Sequence, residues 1–209
     1  MKEKIGILLS VYNGDKVEFV KLAINSILNQ TYTNYFLFIG VDGPISDDLN
    51  KCLLSFKFDK RVKIIRYKEN RGLTKVLNDL LGICFEYKLN YIARMDADDI
   101  SLPHRIAKQL EYMLNNPNID VVGGAIEEID ENSQPRNKII YYPKDNEECF
   151  NFFKKRDPLA HPSVFFNKRF FEKAGFYNEN FRKDQDTLLW YQGFKNGCIF
   201  ANIQEVVLQ

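Results

Sequence analysis

The chain lacks any apolar run approaching the ~20 residues that a membrane-spanning helix requires. It also lacks a charge surplus. Lys and Arg number 29 against 28 Asp and Glu, a formal +1, so no global field recruits nucleic acid or an anionic membrane. Four cysteines (Cys52, Cys84, Cys149 and Cys198) are scattered without metal-ligand spacing, which fits reduced thiols in a cytoplasmic protein. The N-terminus leads directly into a strand-like run too short for a signal peptide. Repeats, low-complexity tracts and linkers are missing as well. The 209 residues are therefore read as one domain.

What is present is a regular alternation of short apolar runs and helical spacings. Runs at 5–11, 35–41, 62–67 and 89–95 read as buried strands. Segments 17–30, 49–58 and 73–85 between them read as helices. This pattern predicts an α/β fold with a mostly parallel sheet covered on both faces. A helix is predicted near 106–114, a strand at 119–129 interrupted by Gly123-Gly124, and an antiparallel return at 138–142. Further segments read as helices at 146–153, 168–174 and 184–196, a strand at 161–166, and an edge segment at 198–207. The antiparallel part forms a small extension of the sheet. Residues 1–100 read as a nucleotide-binding half and 101–209 as an acceptor-binding half.

Parallel sheets bind ligands beyond the carboxyl ends of their strands. Four such ends converge here: Tyr12-Asn13, Asp42, Asn70-Arg71-Gly72 and Asp96-Ala97-Asp98-Asp99. An aromatic face, a carboxylate able to accept a base N–H, an Arg for phosphate and a pair of acids suit a nucleoside diphosphate. Asp96, Asp98 and Asp99 repel one another, and hard oxygen ligands on a short turn suit Mg²⁺ or Mn²⁺. The same acids also suit a helix cap before Leu102-Pro103, and both readings stand at this point.

Ser10-Val11-Tyr12-Asn13, Ser26-Ile27-Leu28-Asn29-Gln30-Thr31-Tyr32, Val41-Asp42-Gly43, Asn70-Arg71-Gly72-Leu73 and Ala93-Arg94-Met95-Asp96-Ala97-Asp98-Asp99 together resemble family 2 glycosyltransferases. The resemblance continues through Leu102-Pro103-His104-Arg105-Ile106, His161-Pro162-Ser163-Val164 and Gln185-Asp186-Thr187-Leu188-Leu189-Trp190. It implies the GT-A fold and an inverting, metal-dependent transfer of a hexose or N-acetylhexosamine from a nucleotide donor, most often a uridine diphosphate sugar. The implied acceptor is a glycan or lipid-linked saccharide in capsule, lipopolysaccharide or other surface polysaccharide synthesis. The implied place is the cytoplasm, with a peripheral contact at the inner face of the plasma membrane.

By the same resemblance Val11, Tyr12 and Asn13 border the nucleobase and Asp42 accepts its ring N–H. Arg71 lies near the ribose or diphosphate, Asp96 and Ala97 contact the nucleotide, and Asp98 with Asp96 holds the cation. Asp186 is implied as the base, with Asp184 as the alternative two residues away. Leu188 stands where relatives usually carry a second acid. Relatives also continue past the point where this chain stops, so a C-terminally truncated acceptor side is expected. Three rivals are set against this reading. A nucleotidyltransferase usually needs a Gly-rich basic loop after the first strand, where Val11-Tyr12-Asn13-Gly14-Asp15 stands instead. A phosphatase of the Asp-x-Asp type places its pair after the first strand and not the fourth. A nucleotide-sugar-binding protein without turnover is the third.

Overall fold

Burial explains where the elements form. The strands Ile5–Val11 (β1), Tyr35–Val41 (β2), Val62–Arg66 (β3) and Tyr91–Met95 (β4) alternate with the helices Val17–Leu28 (α1), Asp47–Ser55 (α2) and Leu73–Glu86 (α3). In α1 the buried residues Val20, Ala23, Ile24 and Ile27 recur at helical spacing, one stripe facing the sheet. α2 begins where the Ser46 side chain accepts from the Leu49 N–H. The structure, a computed structural model, describes residues 3–181 and 183–209. Met1, Lys2 and Arg182 lie outside the described residues.

Among the described residues the strands form one eight-stranded sheet in the order β3-β2-β1-β4-β7-β5-β6, with β8 paired to β5, where β5 is Val121–Ile129, β6 Pro135–Ile140, β7 Phe165–Asn167 and β8 Phe200–Leu208. β3, β2, β1 and β4 are all parallel. The strand order reverses between β1 and β4, and that reversal opens a crevice at their carboxyl ends. The second half supplies Arg105–Asn115 (α4), Val121–Ile129 (β5), Pro135–Ile140 (β6), Asn146–Phe153 (α5), Phe165–Asn167 (β7), Arg169–Ala174 (α6), Gln185–Lys195 (α7) and Phe200–Leu208 (β8). β7 is antiparallel to both β4 and β5, β6 is antiparallel to β5, and β8 runs parallel to β5. The α/β fold and the small antiparallel extension are as the sequence predicts. α1, α2 and α4 cover one face of the sheet. α3, α6 and α7 cover the other, where Trp190 packs among Phe166, Phe170 and Phe200.

Two local readings are corrected. The 161–166 segment is not one strand. His161–Ser163 forms a 3₁₀ turn, and only Phe165–Asn167 pairs. Pro162 carries no N–H for a ladder, which favours the turn. The glycine pair does not interrupt β5, because both residues pair with β8. A Cβ at Gly124 would come within 2.7 Å of Val207 Cγ2, so the close approach of β8 requires glycine there.

Buried polar side chains lock the loop that follows β4. Gln30 at the end of α1 donates to the Ser26 and Leu102 carbonyls and to Ser101 Oγ, and accepts from the Ile106 N–H. Ile100 and Gln209 exchange backbone hydrogen bonds in both directions. Arg105, 1% exposed, donates to the carbonyls of Arg94 and Pro162 at 2.7 and 2.9 Å and to Gln109 Oε1 at 3.1 Å. Burial pushes its pKa down to about 9, with Asp99 opposing, so the guanidinium stays charged at neutral pH. No described helix is long and apolar enough to cross a membrane. Arg105→Met strands these carbonyls without donors, and urea unfolding is expected to show a loss of about 3 kcal/mol, a mid-range value for a broken buried network.

Candidate functional site

β1 and β4 deliver the site's polar residues because their apolar runs end at the same level. Leu9 is registered with Met95, so Tyr12 and Asp96–Asp98 emerge side by side. A cleft of about 300 Å³ lies there, lined by Ser10, Tyr12, Asp15, Asp42, Asn70, Gly72, Leu73, Asp96, Ala97 and Asp98. The Tyr12 ring is about half exposed and covers Gly14, where a Cβ would lie 2.5 Å from it. The Tyr12 N–H donates to Asp15 Oδ2 at 2.9 Å, closing the turn between β1 and α1.

Asp42 is buried at the end of β2. Its Oδ1 accepts from the Arg71 N–H at 2.6 Å and its Oδ2 from the Gly72 N–H at 2.9 Å. Gly72 holds φ +88° and Gly43 φ +85°, and a Cβ at Gly43 would lie 2.6 Å from the Asn70 nitrogen. The second strand end therefore builds the third. The Arg71 guanidinium turns away to Asp79 at 2.5 Å and stacks over Tyr67 at 5.0 Å. It lines the neighbouring cleft with Thr74, Glu179 and Phe181. Val11 is buried, with its carbonyl accepting from the Asp42 N–H at 2.8 Å. Val11, Asn13 and Arg71 are not among the lining residues of the first cleft.

Asp96, Asp98 and Asp99 each offer an oxygen within 4.8 Å of the others. Arg94, 3% exposed, forms an ion pair with Asp96 from below. Burial, then Asp96 and Asp98, push Asp99 up to about 7. Burial likewise raises Asp15 to about 6, with Asp98 and Asp96 adding to it. Asp99 Oδ2 is buried without a hydrogen-bond partner among the described residues. Crowded hard oxygens with one orphaned atom fit a divalent cation such as Mg²⁺ or Mn²⁺.

A second cleft of about 580 Å³ begins where the first ends and shares Leu73 and Asp96 with it. Its other lining residues include Arg94, Asp157, His161 and Asp186. Asp186 lies in the first turn of α7 and is half-buried. Asp184 precedes the helix, exposed, at φ +56°, and its side chain caps nothing. His161 is buried, with Nε2 2.7 Å from the Tyr177 hydroxyl. Burial and then the nearby Arg94 hold its pKa well below the usual 6.5, so the ring is neutral. Trp190 is fully buried in the core and lines neither cleft. The two residues missed in the sequence are Asp15 and Asp157. Asp15 carried a local signal, an acid four residues after the end of β1; Asp157 carried none, because α5 and α7 bring it to the cleft by packing.

The "Glycosyl transferase family 2" family model matches residues 7–176. The chain is 32% identical over 203 residues to the amylovoran biosynthesis glycosyltransferase AmsE of Erwinia amylovora, covering 97% of this chain and 74% of that protein. It is 35% identical over 189 residues to the O-antigen biosynthesis glycosyltransferase WbnJ of Escherichia coli, covering 90% and 70%. It is 28% identical over 205 residues to the UDP-Gal:alpha-D-GlcNAc-diphosphoundecaprenol beta-1,3-galactosyltransferase of E. coli, covering 98% and 73%. S. aureus TarS 1-349, solved in complex with UDP-GlcNAc, shares the fold with a TM-score of 0.76 at 12% identity. The match covers 98% of this chain and 57% of that one, so this chain spans less than two thirds of that structure.

Two outcomes are expected from this geometry. Mn²⁺ raises the melting temperature in differential scanning fluorimetry, and Asp98→Asn loses that rise, since a ligand stabilises only the state that binds it. The depressed pKa of His161 means that the unfolded chain binds its proton first. The stability this contributes is present above pH ~6.5 and is lost as pH falls. Urea unfolding at pH 7.5 and 5.0 should show that loss, reduced in His161→Gln.

Proposed function

The chain belongs to glycosyl transferase family 2, and from that membership we propose an inverting transfer of a hexose or N-acetylhexosamine from a uridine diphosphate sugar. The proposed acceptor is a hydroxyl of a saccharide or lipid-linked saccharide in surface polysaccharide assembly. The observation that carries this reading is the meeting of two clefts at Asp96. One has the features of a nucleotide site, and the other holds a carboxylate, Asp186, that no side chain neutralises by a salt bridge among the described residues. The UDP-Gal donor named for the E. coli galactosyltransferase and the UDP-GlcNAc complex of TarS support the donor class.

In the first cleft the exposed Tyr12 ring offers a stacking face for the base. Asp42 retains a free lone pair on each oxygen after its two backbone bonds, enough to accept a base N–H. Asp98 and Asp96 would hold the divalent cation, which supplies Lewis-acid stabilisation of the leaving diphosphate. In the second cleft Asp186 takes the proton of the acceptor hydroxyl. That oxygen forms its bond to the anomeric carbon on the face opposite the diphosphate. The bond from that carbon to the diphosphate oxygen breaks, and the electron pair leaves with the nucleotide. Asp186 is preferred to Asp184 because only Asp186 lines the cleft. We place the reaction in the cytoplasm, where a lipid-linked acceptor requires peripheral contact with the inner membrane face; the four free cysteines agree with a reducing compartment.

Calorimetric titration of UDP and GDP, each with Mn²⁺ and with EDTA, tests the donor. UDP binding that needs the metal is expected, and a preference for GDP overturns the uridine assignment. Asp186→Asn should lower transfer by roughly 10²–10⁴-fold, the usual worth of a general base. UDP affinity should stay within about twofold, because Asp186 lies outside the first cleft. Full transferase activity in that variant would remove Asp186 from the mechanism.

A further inference from the structure

The second cleft contains a carboxylate that the reaction above leaves unused. Asp157 follows α5 and lines the cleft beside Asp186. Its Oδ2 accepts a hydrogen bond from Thr187 Oγ1 at 2.9 Å. The Thr187 N–H in turn donates to Asp186 Oδ1 at 3.0 Å. One residue thus fastens both carboxylates, one through its hydroxyl and the other through its backbone. Asp157 Oδ1 is buried and has no hydrogen-bond partner among the described residues. A buried acceptor atom left open beside a site is unusual, because buried polar groups are nearly always paired. Burial raises the Asp157 pKa, Thr187 opposes this, and Asp186 and Asp184 add to the rise.

Position 188 does not provide this second acid. Residues two apart on a helix do not share a face. Leu188 accordingly lines a different cleft, with Ala174, Phe176 and Leu189. The acid next to Asp186 comes from another segment of the chain.

We propose that Asp157 is an acceptor-binding residue whose Oδ1 takes a hydroxyl of the acceptor sugar adjacent to the one that reacts at Asp186. Thr187 holds the two carboxylates at a fixed spacing, so the pair reads two neighbouring hydroxyls and selects an acceptor that carries both. This rests on the reading of Asp186 as the base and extends it to acceptor choice.

The test uses the whole chain with Mn²⁺, UDP-glucose, UDP-galactose and UDP-N-acetylglucosamine as donors, and octyl glucoside, galactoside and N-acetylglucosaminide as acceptor probes. Asp157→Asn keeps the shape and can still accept from Thr187. It should raise the acceptor KM about tenfold or more, the worth of one hydrogen bond to a charged group, with kcat within about threefold. UDP affinity by calorimetry should not change, whereas a merely structural role would lower it together with the melting temperature. With wild-type protein, the monodeoxy probe lacking the adjacent hydroxyl should show the same rise in KM, and that probe should lose nothing further on Asp157→Asn. Independent, additive losses overturn the proposal, as does a fall in kcat alone. A wild type that binds UDP but glycosylates none of these probes also overturns it, since each presents adjacent hydroxyl or amide groups to the pair. A wild type that binds no UDP overturns the underlying donor reading first, and calorimetry distinguishes that case.

Discussion

The site depends on two buried guanidiniums beneath a group of carboxylates. Asp96, Asp98 and Asp99 crowd one turn at the end of β4, with Asp15 facing them from the end of β1. Such a group is mutually repulsive, and repulsion alone would splay the turn. Arg94 binds Asp96 from within the core, and Arg105 holds the backbone of Arg94 and of the Pro162 turn. Burying two cations is costly unless they are paired and bonded, and here their partners are the loops that form the crevice. The desolvation of the arginines and the crowding of the acids offset each other. The remaining carboxylate oxygens lie within 4.8 Å of one another, a set that would suit a divalent cation.

Much of this was legible in the chain. Apolar runs that stop abruptly at Asn13, Asp42, Asn70 and Asp96 predict strand ends, and a parallel sheet places those ends on one edge. The parts that were not legible depend on distant partners. The insertion of β7 between β4 and β5, antiparallel to both, has no local signature, because register is set by pairing rather than by spacing. Arg71 read as a phosphate ligand from its place after β3, yet its guanidinium is held by Asp79, eight residues on. The 161–166 run looked extended because it is apolar, and the burial it signals is genuine. The turn at Pro162 serves the Arg105 network instead of a ladder. Asp157 is an ordinary acid in the sequence and gains its place only when Thr187 reaches it.

The sharing of Asp96 and Leu73 between the clefts bears on the proposed reaction. Two substrates that meet over common side chains cannot be accommodated independently. The one that binds first sets the shape of the wall that the second encounters. On the proposed reading, donor and acceptor would share the wall at Asp96, which Arg94 already holds in place.

Asp42 carries a different consequence. Its two oxygens suspend the Arg71–Gly72 backbone, and the same carboxylate faces the nucleotide cleft. With the base contact proposed for Asp42, base preference and loop architecture would reside in one side chain. A substitution chosen to admit a different base also releases the strap that forms the opposite wall of the pocket. On the proposed reading, a change of donor base requires concerted change at 42 and 70–72.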